Sequence, residues 1–225
     1  MTGAPDWFEI ISTDPWASRR FHREVFDWAF PVVIGAPGYE RIRPPDSAGV
    51  MGALRADRHR DALALSVPCE DVTESAERAE ELGADVLRPV AETPGGGADA
   101  MVADVLGNPL TLRERPQGTR EPAPSIPNVM RFFEFGSTDP DATREFYAGL
   151  FGWRFEPGGD VVADDVPCGR LCAAPVDYTS PVLTVEDVDG VLDAVRDHGG
   201  DAESAGAGRG GFRDPRGHLW GVAAA

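Results

Sequence analysis

Residues 7–30 read WFEIISTDPWASRRFHREVFDWAF, and residues 132–155 read FFEFGSTDPDATREFYAGLFGWRF. Aligned without gaps, the two stretches are identical at twelve of 24 positions, where unrelated sequences would match at roughly one or two given ordinary residue frequencies. The remainder of each half also follows one order: an apolar run, a helical run ending at glycine, and an aspartate–glycine turn before a short strand. The chain is therefore an internal duplication.

Local patterns predict the same elements in both copies. WFEIIST and FFEFGST have the composition of short strands. Asp14-Pro15 and Asp139-Pro140 supply an N-cap and a proline at the first helical position. Each helix is predicted to carry one apolar stripe at i, i+4 and i+7, made of Phe21, Val25 and Trp28 in the first copy and of Phe146, Leu150 and Trp153 in the second.

Further β-like runs, such as FPVVIG and YERIR, follow each of these helices. A second strand and helix then begin, with Gly83 and Gly199 in the place of C-terminal caps. Each half therefore predicts β-α-β-β-β twice, which is an α+β fold. PQGTREPAPSIPN (116–128) contains four prolines and reads as an extended connection. We predict an N-terminal domain at 1–116, a linker at 117–127 and a C-terminal domain at 128–225.

The charge balance excludes several classes of function. The chain has 38 acidic residues against 21 basic ones, a net charge of −17, and it contains no lysine. Schiff-base catalysis and a P-loop both need lysine. A nucleic-acid binder needs a basic face, which the acidic surplus argues against. No apolar run approaches the length of a membrane span. The expected partner is a small molecule, with neutral or cationic ligands favoured over anionic ones.

The N-terminal residues and the cysteines favour a cytoplasmic protein. MTGAPDWFEI has no basic region followed by an apolar one, so no signal peptide is predicted. The three cysteines, Cys69, Cys168 and Cys172, are odd in number, which favours reduced thiols. The C-x3-C spacing of the last two has no second pair that would complete a zinc site.

The doubled STDP-x-A-x(3)-F-[YH]-x(3)-F-x-W motif, with D-x(2)-G-x-L near the end of a half, resembles the vicinal oxygen chelate superfamily. That superfamily includes glyoxalase I, extradiol dioxygenases and the bleomycin and fosfomycin resistance proteins. FYAGLFGW (146–153) and VEDVDGVLDAV (185–195) are most similar to its tandem CFP-30B-like branch, seen in actinobacteria. The resemblance implies two domains of paired βαβββ modules, each forming a cupped mixed sheet. It also implies a monomer with pseudo-two-fold domain pairing, or a homodimer.

Enzymes of this superfamily usually hold a divalent metal through His and Glu side chains, which activates paired substrate oxygens. The resemblance places these ligand positions at Trp7, Ala62 and Thr111 in the first half and at Phe132, Ser180 and Gly221 in the second. None of these side chains binds a metal, except weakly through a hydroxyl. The four histidines, His22, His59, His198 and His218, are too scattered to replace them, and structural or solvent roles are expected for all four. No cofactor is predicted, although a metal bound elsewhere stays open.

Strand alternation gives a second set of candidates. If Trp7 and Phe132 face the cavities of the cups, Glu9 and Glu134 face them too. A carboxylate beside an aromatic side chain suits a general acid or base, or the binding of a cationic or hydroxylated ligand. The alternative is structural: each glutamate would pair with an arginine and hold the two halves together, the candidates being Arg43, Arg131 and Arg170.

Two functions follow from these residues, and a third remains open. The first is a metal-independent protein that binds a small neutral or cationic molecule, aromatic ones included, through Trp7, Glu9, Thr111, Phe132 and Glu134. The alternative is a lyase, isomerase or hydroxylase-like enzyme that uses Glu9 or Glu134 as acid or base, or that holds a metal at a non-standard site. The third is a chain with filled cups that serves only in assembly.

Overall fold

A computed structural model describes residues 3–47, 49–93, 97–114 and 129–225. The predicted linker at 117–127 lies outside these residues. The elements of the first half are β1 (Trp7–Ser12), α1 (Pro15–Phe26), β2 (Tyr39–Ile42), β3 (Gly52–Ala56), β4 (Ala62–Cys69), α2 (Val72–Glu81), β5 (Asp85–Glu92), β6 (Ala98–Ala103) and β7 (Pro109–Glu114). Those of the second half are β8 (Val129–Ser137), α3 (Pro140–Phe151), β9 (Arg154–Phe155), β10 (Asp160–Ala163), β11 (Val166–Ala173), β12 (Tyr178–Val185), α4 (Val188–Asp197), β13 (Asp201–Gly206), β14 (Arg209–Arg213) and β15 (Leu219–Ala224).

The predicted α+β class and the duplicated modules are confirmed. Strands β1–β7 belong to a seven-stranded mixed sheet and β8–β15 to an eight-stranded one. The eighth strand is β9, whose counterpart in the first half is reduced to the isolated bridges Ala29–Arg43 and Val32–Glu40. The β-like run FPVVIG therefore does not form a strand. Among the described residues, no helix is long and apolar enough to cross a bilayer.

The chain forms two compact units, and each combines modules from both halves of the repeat. The α1–α4 unit contains α1, α4, strands β1–β3 and β13–β15, and most of β12. The α2–α3 unit contains α2, α3, strands β5–β7 and β9–β11, most of β4, and β8 from Phe133 onward.

In the α1–α4 unit, β3 pairs in parallel with β1 and antiparallel with β2. In the same unit β15 pairs in parallel with β12 and antiparallel with β14. The buried core draws on β1, α1, α4 and β15, with Phe8, Phe21, Leu192 and Trp220 among its members. Amphipathic helices with one apolar stripe are stabilised by this kind of packing against strands.

The α2–α3 unit repeats this arrangement. There β4 pairs in parallel with β7, and β8 pairs in parallel with β11. Its second-half core is aromatic: Tyr147 stacks on Trp153 with ring centroids 5.2 Å apart, and Phe135 stacks on Tyr147 at 4.6 Å. Offset aromatic pairs of this kind add to the free energy gained from burial alone.

The starts of α1 and α3 match the prediction, but their ends do not. Asp14 and Asp139 cap α1 and α3, and each side chain accepts a hydrogen bond from a backbone N–H of the first turn. Trp28 and Trp153 were predicted to lie on the helical stripes. They lie beyond the helices instead, because Asp27 (φ 55°) and Gly152 (φ 71°) adopt the left-handed conformation that ends α1 and α3.

Candidate functional site

The first strand of each half separates a core face from a second face. Phe8 and Ile10 are fully buried in the core of the α1–α4 unit. Because side chains alternate along a strand, Trp7, Glu9 and Ile11 lie on the opposite face of β1. Phe133 is buried in the same way in β8, which leaves Glu134 on the opposite face. The faces predicted to lie in the core are confirmed for both strands, and the orientation of the opposite faces towards a cavity stays a prediction.

Glu9 is buried in the α1–α4 unit and forms a bidentate ion pair there. Its side chain is 2% exposed, and Arg55 donates from Nε to Oε2 at 3.1 Å and from Nη2 to Oε1 at 3.2 Å. The Arg55 guanidinium also lies over the ring of Tyr39, 4.9 Å from its centroid. A bidentate pair of this geometry holds the carboxylate in its charged form and occupies both of its oxygens.

Arg55, which binds Glu9, was not predicted from the sequence. Arg43, Arg131 and Arg170 were the arginines considered, and the side chain of Arg131 lies outside the described residues. Arg55 reaches Glu9 because β1 and β3 are parallel neighbours in which Glu9 lies opposite Ala53, two residues before Arg55. The alternation of side chains in GALRA indicates which residues of this strand share a face. The register of β3 against β1 cannot be predicted from the sequence.

Glu134 has a different partner in the α2–α3 unit. It is half-buried, and the Tyr178 hydroxyl donates to its Oε1 at 2.6 Å. Burial and the carboxylate of Glu134 raise the pKa of Tyr178 well above its usual value, so this hydroxyl keeps its proton. The ring of Tyr178 lies against Gly136, where any Cβ would overlap it.

Two further side chains of β11 lie beside this pair. Arg170 is opposite Glu134 in the strand register, and Cys172 is opposite Gly136. Arg170 donates to the carbonyl oxygen of Gly158 at 3.2 Å rather than to Glu134. Burial and the charge of Glu134 raise the pKa of Cys172, so its thiol stays protonated and is a weak nucleophile.

Strand register defines which residues of the two halves correspond. Ser66 lies opposite Thr111 in the β4–β7 pair, and Val182 lies opposite Gly221 in the β12–β15 pair. Thr111 and Gly221 follow the same aspartate–glycine turn, so Ser66 corresponds to Val182. Counting back along both strands matches Ala62 with Tyr178.

This register also corrects one expected ligand position. Ser180 corresponds to Ala64 rather than to Ala62, so the two positions taken for the fifth strand are not equivalent, and the first-half counterpart of Ser180 is Ala64. The correction changes no chemistry, because alanine cannot bind a metal at either place.

The predicted site residues are divided between the two units. Trp7, Glu9 and Phe132 belong to the α1–α4 unit, whereas Thr111 and Glu134 belong to the α2–α3 unit. Trp7 and Phe132 are half-buried. Thr111 is 1% exposed, and its hydroxyl has no hydrogen-bond partner among the described residues.

The side chains present do not fit the divalent metal that the resemblance implies. In the part of the chain that the structure describes, no group of three or more His, Cys, Asp or Glu side chains could hold a metal ion. His59 is exposed and His198 caps the end of α4, as expected. His22 and His218 are buried and bonded within the α1–α4 unit. The three cysteines are free thiols.

The fold is similar to that of solved glyoxalase and dioxygenase structures. No family model and no curated protein matches the sequence. A Mn(II)-bound glyoxalase from Novosphingobium aromaticivorans has a similar structure, with a TM-score of 0.62 and 17% identity over 100% of this chain and 83% of that one. A variant of homoprotocatechuate 2,3-dioxygenase from B. fuscum has a TM-score of 0.68 and 17% identity over 98% of this chain and 71% of that one. The 2,3-dioxygenase LapB from Pseudomonas sp. KL28 has a TM-score of 0.64 and 12% identity over 100% and 93%.

Proposed function

We propose that this chain, which has the vicinal oxygen chelate fold, binds a small cationic or uncharged molecule without a metal. The observation that carries the proposal is the Glu134–Tyr178 pair. Glu134 is a half-buried carboxylate whose only partner among the described residues is a neutral hydroxyl. No described residue forms an ion pair with it, so its charge is available to a ligand.

The pair has the groups that recognise an organic cation. Tyr178 donates to Oε1 of Glu134, and no described residue bonds to Oε2. Carboxylate oxygens bind charged donors strongly, and an aromatic ring beside them attracts a cation through its π face. These protein groups suit a ligand with an alkylammonium group, or a ring whose hydroxyl donates a hydrogen bond to the carboxylate.

The first half supports the same conclusion by contrast. Arg55 neutralises Glu9 and occupies both of its oxygens, so the carboxylate there offers no free charge. The position of Arg55 is taken by Cys172 in the second half, because each lies opposite the second residue after the glutamate. We therefore assign cation recognition to Glu134 and a structural role to Glu9.

Metal independence is the second part of the proposal. The superfamily's ligand positions hold Trp7, Phe132 and four small residues whose side chains lack a strong metal donor: Ala64, Thr111, Ser180 and Gly221. Divalent metals in proteins need carboxylate, imidazole or thiolate ligands at such positions. Aromatic side chains there supply apolar contact area instead.

An enzyme that uses Glu134 as general base is the alternative. Its support is Oε2 of Glu134: the Tyr178 hydroxyl holds Oε1 by a 2.6 Å hydrogen bond, and Oε2, to which no described residue bonds, is open to accept a proton. Turnover assays with the methylglyoxal–glutathione adduct, catechols and epoxides test this alternative. Turnover that disappears in Glu134→Gln would favour the enzyme over the binding protein.

Isothermal titration tests the binding proposal, with benzyltrimethylammonium as the cationic probe, benzyl alcohol as the uncharged one and benzoate as the anionic one. We expect saturable binding of the cation, weaker binding of the alcohol and none of benzoate. Glu134→Gln should weaken cation binding at least about tenfold. Glu145→Gln removes the same charge from an exposed position on α3 and is the matched control. Equal affinity of the wild type and Glu134→Gln for the cation would refute the assignment.

A further inference from the structure

Asp214 and His218 form a buried pair in the α1–α4 unit. The side chains of both residues are at most 1% exposed. Nδ1 of His218 lies 2.7 Å from Oδ2 of Asp214, and Nε2 lies 3.0 Å from the carbonyl oxygen of Ile11. Both ring nitrogens therefore face acceptors. An imidazole satisfies two acceptors only when each nitrogen carries a proton, which makes His218 an imidazolium paired with the Asp214 carboxylate.

His22 of α1 lies beside this pair and, unlike His218, is neutral. Its Nδ1 lies 2.8 Å from the carbonyl oxygen of Ser18, to which it donates. Nε2 is buried without a hydrogen bond, 3.8 Å from Oδ2 of Asp214. The ring stacks on Trp28 with centroids 5.1 Å apart. Burial lowers the pKa of His22 to about 4, against the attraction of Asp214, so His22 is neutral near pH 7.

Two backbone N–H groups also bind Asp214, and the nearby side chain of Arg216 binds other residues. The backbone N–H groups of Arg216 and His218 both donate to Oδ1 of Asp214. The guanidinium of Arg216 is directed to Asp61 and to the hydroxyl of Thr13. Burial alone would raise the pKa of Asp214, but the hydrogen bonds and charge of His218 outweigh it and hold the pKa below its usual value.

The α2–α3 unit has the same construction with different side chains. Asp104, Asn108 and Tyr147 occupy the repeat positions of Asp214, His218 and His22. The Tyr147 hydroxyl donates to Oδ2 of Asp104 at 3.0 Å, and Asn108 Nδ2 donates to both oxygens of that carboxylate at 3.2 and 3.0 Å. An amide does not titrate, and burial beside Asp104 raises the pKa of Tyr147 far above its usual value.

We infer that His22, Asp214 and His218 form a proton-sensitive tie that joins α1, β1 and the turn before β15 and that loosens in acid. In acid, His22 gains a proton inside an apolar stack, which the folded state disfavours. The tie reaches β1 at Ile11, two residues from Glu9. The counterpart in the α2–α3 unit contains no histidine.

The first test is NMR of the wild-type chain labelled with 15N histidine. At pH 7 both ring nitrogens of His218 should carry a bonded proton, and His22 should carry one on Nδ1 only. A single ring proton on His218 at pH 7 would overturn the inference. This measurement needs no variant.

The second test is amide hydrogen exchange, compared as protection factors at pH 7 and pH 5. For His22 alone, a pKa of about 4 in the folded state against 6.5 in the unfolded state makes local opening on the order of 20-fold easier at pH 5 than at pH 7. We expect protection to fall at pH 5 by up to this factor at β1 and in residues 214–218, but not in residues 104–108. The double variant His22→Tyr/His218→Asn imports the side chains of the other unit and should lose the pH dependence. Retention of the full pH dependence in that variant would contradict the proposal.

Discussion

Tyr178 occupies the space that the missing side chain of Gly136 leaves open. A Cβ placed on Gly136 would overlap the Tyr178 ring at three of its carbons, and the ring position brings the hydroxyl to Glu134. The first half has the reverse combination at the corresponding positions, a large Ile11 and a small Ala62. The two halves have therefore exchanged volume between strands, and the exchange gives only the second half a hydroxyl beside its carboxylate.

Gly136→Ala should therefore destabilise the protein. The added methyl must displace Tyr178 or the backbone of β8, and overpacking of this kind costs about 1–3 kcal/mol. Denaturant unfolding measures the loss. Adding Tyr178→Ala to this variant removes the overlap, so the double variant should be less unstable than the sum of the two single variants. Strict additivity of the two losses would show that the two positions do not interact.

The repeat predicted most of the fold because its signals are local. Asp14 and Asp139 cap their helices as expected, since a cap depends only on neighbours three residues away. The buried faces of β1 and β8 followed from alternation alone. The end of α1 was missed because Asp27, which adopts the left-handed conformation there, is not glycine. Gly152 at the same place in the second copy was the available signal.

The partners of the two glutamates could not be predicted in the same way. Arg55 and Tyr178 lie 46 and 44 residues from the glutamates that they bind. Such contacts depend on the register of one strand against another, which short-range patterns leave undetermined. The volume exchange at Gly136 and Tyr178 was visible in the sequence only as two unrelated differences between the copies.

Arg55→Ala should be among the more damaging single substitutions in the α1–α4 unit. It leaves the Glu9 carboxylate, which is 2% exposed, without its bidentate donor. Removing one partner of a buried ion pair costs about 3–5 kcal/mol. Thermal or denaturant unfolding measures the effect. Glu9→Gln in the same background removes the buried charge and should recover part of the loss. No recovery would mean that Arg55 stabilises the protein mainly through its packing on Tyr39.

Tyr147→Phe should cost about 1–2 kcal/mol, because it removes a buried hydrogen bond to Asp104 and leaves the aromatic stack intact. Asp104 keeps four other hydrogen bonds, from the backbone of Leu106 and from the backbone and amide of Asn108, which limits the loss. Denaturant unfolding checks the value. A loss above about 4 kcal/mol, the range of large core cavities, would show that the tyrosine does more than donate this bond.

Chelation should leave the protein unchanged if binding is independent of metal. The melting temperature and the affinity for benzyltrimethylammonium should be the same before and after dialysis against EDTA. Elemental analysis of protein purified without chelators should find far less than one divalent ion per chain. A near-stoichiometric ion, together with a melting temperature that falls on chelation, would show a metal site built from other residues.

Arg216→Leu should make the protein less stable above about pH 4 and have little effect near pH 2. Burial alone would raise the pKa of Asp61, but hydrogen bonds from Arg216 and Thr13 outweigh it and lower the pKa to about 2. A carboxylate with a lowered pKa stabilises the folded state above its ordinary value of 3.8, and this contribution disappears as the pH falls towards 2. The pair is partly exposed, with side-chain exposures of 29% and 22%, so the loss should stay below about 1 kcal/mol and shrink in salt.

Leu106 occupies the position of Arg216 in the first half, so leucine is tolerated in this turn. Unfolding curves at pH 7 and pH 2.5, each at low and high salt, measure the effect, and an equal loss at both pH values would mean that the charge of Asp61 is not involved.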